Sequence, residues 1–383
     1  MQPFTFNTSR SLICEAGASQ RLPKYAASLG MQRPCLVTDG GIVASGMLAP
    51  VLTALQDAGL ASIVFDQVIA DPPESTVEAA LAYAREHHCD GVVGFGGGSA
   101  MDTAKLVALL LTGEQSLADV YGVGNARGER LPLIQVPTTA GTGSEVTPIA
   151  IVTTGETTKM GVVAPQLLPD LALLDATLTT GLPPAITAAT GIDAMVHAIE
   201  AYTSKLRKNP YSDMLAREAL RLLGSNIVTA VEDGNNLQAR SKMLLGATLA
   251  GQAFANAPVA AVHALAYPLG GIYHLPHGLS NALVLPHVMR FNLPEAASAY
   301  AELAPLLLPT GTLVGKDIAS ALINWLAALC GEVGLPTRLR DSGIPEDAIE
   351  RLAADAMLQQ RLLVNNPREV TEQDAINIYR AAW

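Results

Sequence analysis

Aromatic side chains are scarce in this sequence. Phe, Trp and Tyr make up 4% of 383 residues, while apolar residues as a whole reach 49%. So large an apolar fraction excludes an intrinsically disordered chain. With few rings available, Ala, Leu, Val and Ile must fill the core, which favours helices and parallel strands over a β-sandwich. Basic charge is thin as well. Lys and Arg number 24 against 35 Asp and Glu, a formal net charge of −11, with no basic run beyond scattered pairs. Binding a nucleic acid or an anionic membrane needs a basic face, so neither partner is expected, and the acidity reads as solubility. Cysteine is limited to Cys14, Cys35, Cys89 and Cys330, far apart and without a CxxC pair. These read as reduced thiols of a cytoplasmic protein, not as a disulfide framework. The N-terminus, MQPFTFNTSR, has no basic segment leading into an apolar one, so no signal peptide is expected.

Charge disappears altogether from Met243 to Met289. A membrane span is one explanation, but Gln252, Asn256, Pro258, His263, Pro268, His274, Pro276 and His277 interrupt the stretch. No clean run of about 20 apolar residues survives. The stretch reads instead as the buried middle of a globular domain, whose polar residues then require a purpose.

Length suggests about two to three domains. The first half alternates between short apolar runs and helical patterns. Strands are predicted at Pro34–Thr38, Ser62–Phe65, Gly91–Gly94, Leu133–Val136 and Ala172–Leu174, with helices at Ala49–Ala58, Glu74–His87 and Ser99–Leu111. Such alternation predicts an α/β domain with a parallel sheet covered on both faces. After Pro183 the pattern becomes Ala/Leu-rich and helical, punctuated by Pro210, Gly224, Pro258, Pro294, Pro309 and Pro336. The expected division is therefore 1–182 and 183–383.

Two loops of the first half suit a nucleotide. Gly94-Phe95-Gly96-Gly97-Gly98-Ser99 follows a predicted strand and runs into a helix. Consecutive glycines let the backbone approach a ligand, and a helix N-terminus offers amides and a positive dipole end to a pyrophosphate. Ser99 and Asp102 equally fit an N-cap pair with no ligand. The second loop, Pro137 to Glu145, crowds Thr138, Thr139, Thr142 and glycines after the next strand, where open α/β sheets bind ligands. A solvent loop of turn formers is its competing reading. Asp39 ends another strand. A carboxylate there accepts bonds from ribose hydroxyls and repels a 2′-phosphate, favouring NAD over NADP, unless it merely caps a turn.

The helical half carries metal-binding residue types. Asp193 and His197 lie four apart, on one face of a helix rich in Ile, Met and Val. A buried carboxylate needs a cation or a donor; a plain Asp–His hydrogen bond would also serve. Four further histidines, His263, His274, His277 and His287, lie in or beside the charge-free stretch, and spacing does not choose among them. Two of them with Asp193 and His197 would give one carboxylate oxygen and three imidazoles, a set that suits Fe(II), Zn(II) or another divalent metal.

At these residues the chain resembles the iron-containing (group III) alcohol dehydrogenases. The resemblance rests on GGGSAMDTAK at Gly96–Lys105, PTTAGTGSEVT at Pro137–Thr147, GIDAMVHAIEAY at Gly191–Tyr202 and LPHGLSNALVLPHVMRFN at Leu275–Asn292, and extends over nearly the whole chain. It implies a dinucleotide domain, a helical metal-binding domain, and hydride transfer between NAD(H) and a small alcohol or aldehyde. It also implies the ligand set Asp193, His197, His263 and His277. The implied nucleotide contacts are Asp39, Gly97, Gly98, Ser99, Asp102, Thr138, Thr139, Thr142, Thr147 and Lys159. Phe254 matches a residue lining the substrate pocket, and dimers are common among such proteins. Two positions depart from the pattern: Tyr267 stands where many members have histidine, and Asp71 where Asn is frequent. With no histidine there, the proton is expected to leave through water or through Tyr267, the candidate proton-handling residue. Dehydroquinate synthase, a lyase using NAD and a metal, is the alternative architecture, but the Lys/Arg cluster expected for its phosphorylated substrate is missing.

Overall fold

Among the described residues, aliphatic and β-branched runs of the first half form nine strands: β1 (Ser11–Cys14), β2 (Pro34–Asp39), β3 (Ile63–Val68), β4 (Gly91–Gly96), β5 (Gly122–Val123), β6 (Leu133–Pro137), β7 (Ile149–Thr154), β8 (Thr158–Val163) and β9 (Leu171–Leu174). They belong to a computed structural model that describes residues 3–155, 158–309 and 317–383. The chain divides into two units, one of Asn7–Gly181 and one of Leu182–Trp383 with the N-terminal residues up to Phe6.

In the first unit six strands form one sheet in the order β1-β9-β6-β4-β2-β3, and every pairing is parallel. β4 and β6 are buried along their whole length, as expected for central strands covered on both faces. The helix Gly98–Thr112 supplies part of that cover. Ala100, Ala104, Val107 and Ala108 pack with Cys35 and Val37 of β2, Val92 of β4 and Leu133 of β6. The parallel sheet expected from the sequence is therefore present.

A second, three-stranded sheet was not expected. β7 and β8 pair antiparallel, and β5 adds to β8. These strands lack a strict polar–apolar alternation, and β8 carries Lys159 and Gly161, so their sequence gives little period-2 signal.

The other unit contains helices and, among the described residues, no strand. Its principal helices are Pro184–Thr203, Pro210–Gly224, Leu237–Asn256, Ala261–Tyr273, His277–Leu307 and Ile318–Glu332. Pro184 and Pro210 each sit in the first turn of a helix, where a missing N–H costs nothing. Pro294 was expected to break a helix, yet lies inside the 31-residue helix His277–Leu307 together with Pro286 and Pro305. Burial of Leu283, Val284, Leu285, Val288, Leu303 and Ala304 outweighs a local penalty of about 3 kcal/mol for an interior proline. The charge-free stretch is divided among three helices whose apolar faces are buried. Among the described residues no helix is long and apolar enough to cross a membrane.

Candidate metal centre and nucleotide rim

Asp193 and His197 project from adjacent turns of the helix Pro184–Thr203, and both are buried. His263 comes from the first turn of Ala261–Tyr273 and His277 from the first residue of His277–Leu307. One ligand atom from each of the four lies within 4.8 Å of all the others. Asp193 Oδ1 is the hub, 3.6 Å from His277 Nε2, 3.9 Å from His263 Nε2 and 4.0 Å from His197 Nε2. Two ligands on one first-row ion, each about 2.1 Å from it, stand at comparable separations, so the donor set fits a divalent metal by geometry and by chemistry. The two remaining histidines are set apart. His274 is the exposed, left-handed C-cap of Ala261–Tyr273. His287, ten residues beyond His277, is not in the cluster; burial and then Arg290 push its imidazole down to about 4.

Two residues at this centre escaped the sequence reading. Glu200 is buried, and its carboxylate accepts from Ala260 N at 3.0 Å, Val262 N at 2.7 Å and His263 Nδ1 at 2.6 Å. Donation of the Nδ1 hydrogen to Glu200 leaves the Nε2 lone pair of His263 facing the hub, the arrangement that orients metal-bound imidazoles. Asn281 is the second, with Nδ2 2.6 Å from Asp193 Oδ1. The signal for both was helical spacing: Glu200 lies seven residues after Asp193, and Asn281 four after His277, on the same faces. Burial pushes the Asp193 carboxyl up, but His197, His277, His263 and the Asn281 bond outweigh it and hold it below its ordinary value.

Rings wall the centre. Phe254 stacks on His197 at 4.3 Å between centroids, His197 on His263 at 4.7 Å, and His277 lies 5.4 Å from His263. Tyr267, one turn after His263, places its ring 6.0 Å from that of His277. Both the expected pocket residue and the expected tyrosine therefore border the cluster.

In the first unit the sheet register assembles a rim. Gly96 of β4 pairs with Pro137 of β6, and Thr138 N donates to Gly96 O at 3.0 Å, so the two loops run side by side. A Cβ on Gly97 would sit 3.6 Å from Thr139 Cγ2, and one on Gly98 only 2.8 Å from Thr142 Cγ2. Glycine is required at 98 for that approach. Asp39 closes the rim on the β2 side, where its Oδ1 accepts from Ile42 N at 3.0 Å. The capping reading of Asp39 is realised: at the end of β2 it caps the short helix Gly40–Ala44.

The Ser99–Asp102 cap is not formed. The helix begins at Gly98 with Gly97 as N-cap and no side-chain cap bond, which leaves first-turn amides directed at the rim. Asp102 turns inward. Its carboxylate accepts from Ser144 Oγ at 2.6 Å and Ile151 N at 2.9 Å, and burial raises its pKa against the opposing pull of Lys105. Lys105 is fully buried and donates to Thr147 Oγ1 at 3.0 Å and Ile149 O at 2.6 Å; burial pushes it down to about 8. Asp102 and Thr147 thus belong to a network beneath the loops. Lys159, on β8, is 2.7 Å from Asp71 Oδ1 and donates to Thr153 Oγ1 at 2.9 Å. Asp71 has a left-handed backbone, φ 52°, a conformation that Asn and Asp tolerate best after glycine.

Parallel strands feeding a glycine-rich helix N-terminus, together with a helical unit that gathers one aspartate and three histidines, fit a metal- and nucleotide-dependent enzyme. The comparisons agree. Residues 9–176 match the iron-containing alcohol dehydrogenases and residues 187–383 the C-terminal region of the Fe-containing alcohol dehydrogenase family; the chain belongs to that family. It is similar to long-chain-alcohol dehydrogenase 1 of Geobacillus thermodenitrificans, 42% identical over 371 residues, which are 96% of this chain and 93% of the relative. The solved structure of a 1,3-propanediol oxidoreductase superposes with a TM-score of 0.96 at 37% identity, covering 100% of both chains. Sulfoacetaldehyde reductase from Bifidobacterium kashiwanohense, solved in complex with NAD+, reaches a TM-score of 0.89 at 30% identity, covering 100% of this chain and 99% of its own. The lyase reading gains no support.

The role of Glu200 is testable. Glu200→Gln leaves one oxygen for three donors and turns an amide N–H toward one of them. Metal affinity, read by competition with a chelating dye, should fall about 10- to 100-fold. Unchanged affinity would show that His263 needs no such orientation.

Proposed function

We propose that this chain is an NAD-dependent alcohol dehydrogenase and aldehyde reductase of small alcohols, using one divalent ion, Fe(II) foremost, held by Asp193, His197, His263 and His277. The observation that carries the reading is the convergence of these four donors on one point. In this reading residues 1–182 bind the nucleotide through Asp39, Gly97, Gly98, Ser99, Thr138, Thr139, Thr142 and Lys159, with Asp102 and Thr147 acting from beneath. Residues 183–383 hold the ion. Bound there, a divalent ion supplies Lewis acidity toward the oxygen of the reacting carbon as hydride moves to or from nicotinamide. Phe254, fixed against His197, limits the bulk admitted beside the centre. Tyr267 handles the proton. Its phenol O–H can donate to an oxygen that gains charge as a carbonyl is reduced, and the same group takes the proton back in the reverse reaction.

The exposed Cys14 thiol, one of four free cysteines, suits a reducing cytoplasm. The exposed outer edge of β1 offers unpaired backbone to a second copy, in keeping with a homodimer.

The test of function is a set of short alcohols, diols and aldehydes with NADH or NAD, run with Fe(II), Zn(II) and no metal. Stoichiometric loss of NADH absorbance with an aldehyde is expected. A reaction that consumes substrate with no net change in nicotinamide would sink the dehydrogenase reading. Asp39→Ser tests cofactor choice, because serine keeps the helix cap while removing the charge. The ratio of kcat/KM for NADPH over NADH should rise about tenfold or more, the scale of one polar contact at about 1.4 kcal/mol. An unchanged ratio would remove Asp39 from the ribose site.

A further inference from the structure

Asn281 lies fully buried, one turn after His277 on the same helix. Its Nδ2 is 2.6 Å from Asp193 Oδ1 and 3.3 Å from both His263 Nε2 and His277 Nε2. These three atoms are among the four assigned above to the ion. At least one imidazole is an acceptor there, because the Nδ1 hydrogen of His263 belongs to Glu200. The other end of the amide, Oδ1, is buried without a hydrogen-bond partner among the described residues. Buried amides normally satisfy both ends. Here the nitrogen is directed into the cluster while the oxygen goes without.

Amide hydrogens and a cation compete for the same lone pairs. We propose that Asn281 is a positioning residue that keeps the donor set converged whenever no ion is bound, donating into the lone pairs that the ion would take, and yields them on loading. A buried carboxylate facing imidazole lone pairs repels them and carries a desolvation cost unless a donor or cation intervenes. Asn281 supplies the donor, so its contribution falls on the ion-free protein, and the site is shaped before the ion arrives. This inference rests on the metal reading above.

The experiment compares thermal midpoints of the full chain, stripped of metal and loaded anaerobically with Fe(II), for the wild type, Asn281→Leu and Asn281→Ser. Leucine keeps the bulk and removes the donor; serine keeps a shorter donor. In Asn281→Leu the stripped form should melt about 5 °C lower, the scale of a buried group left unsatisfied, while the loaded form barely moves. The gap between the two forms therefore widens. Asn281→Ser should show a smaller widening, and decides the matter if the leucine variant does not fold. An equal drop in both forms would make Asn281 merely structural and overturn the proposal. A larger drop in the loaded form would overturn it too, by placing the residue in service of the bound ion. A wild type whose midpoint ignores Fe(II) would remove the metal assignment beneath it, a distinct failure.

Discussion

Asp193→Asn should leave the fold intact, strip the chain of its divalent ion, and lower turnover by about a thousandfold or more. The substitution is isosteric, and the amide oxygen can still accept from Asn281, so packing around the fully buried side chain is kept. What disappears is the only anion among the four donors, the one whose Oδ1 lies 3.6–4.0 Å from all three imidazoles. Three neutral imidazoles in an apolar setting must then carry the whole desolvation cost of a dication. Stabilisation of developing charge by a bound metal amounts to several kcal/mol, and each 1.36 kcal/mol is about tenfold in rate. Elemental analysis with a turnover assay settles it. Retention of one ion per chain at normal activity would refute the role of Asp193.

Gly278→Ala should be nearly as damaging, for a reason of packing. A Cβ at Gly278 would lie 2.2 Å from Ala189 O, 2.6 Å from Ala189 C and 3.3 Å from Asp193 Cβ. The obstacle is backbone, so no rotamer relieves it, and the helix carrying His277 must move off the helix carrying Asp193. Overpacking of this kind costs about 1–3 kcal/mol or more, so the midpoint should fall by at least about 5 °C. Metal affinity should fall more than about tenfold, because the displacement separates two ligands. Gly331→Ala serves as the control: its Cβ would meet only Thr337 Cγ2, at 3.6 Å, and alanine is the better helix former. Equal behaviour of the two variants would show that close approach at Gly278 is unnecessary.

The sequence announces some of this directly and conceals the rest. Buried parallel strands are continuous aliphatic runs, so β2, β4 and β6 could be read within a residue or two. Spacing of four residues placed Asp193 and His197 on one helix face, a purely local relation. Choosing His263 and His277 over His274 and His287 needed the resemblance, because their meeting point depends on how three helices pack. Distance along the chain also hid the inward turn of Asp102: its partners Ser144 and Ile151 lie 42 and 49 residues away, whereas the competing cap with Ser99 was local and did not form. Pro294 misled because propensity is local while burial of the helix around it is not. Glu200 and Asn281 were within reach, as buried polar groups at helical spacing from ligands already chosen.

The most direct measurement is a metal titration of turnover. Protein stripped by a chelator receives Fe(II) anaerobically in fractional equivalents, with NADH and a short aldehyde present, and bound ion and rate are read together. Rate should rise in proportion to bound ion and level off at one per chain. Full turnover by the stripped protein, or activity that ignores the added ion, would contradict a metal centre built from Asp193, His197, His263 and His277.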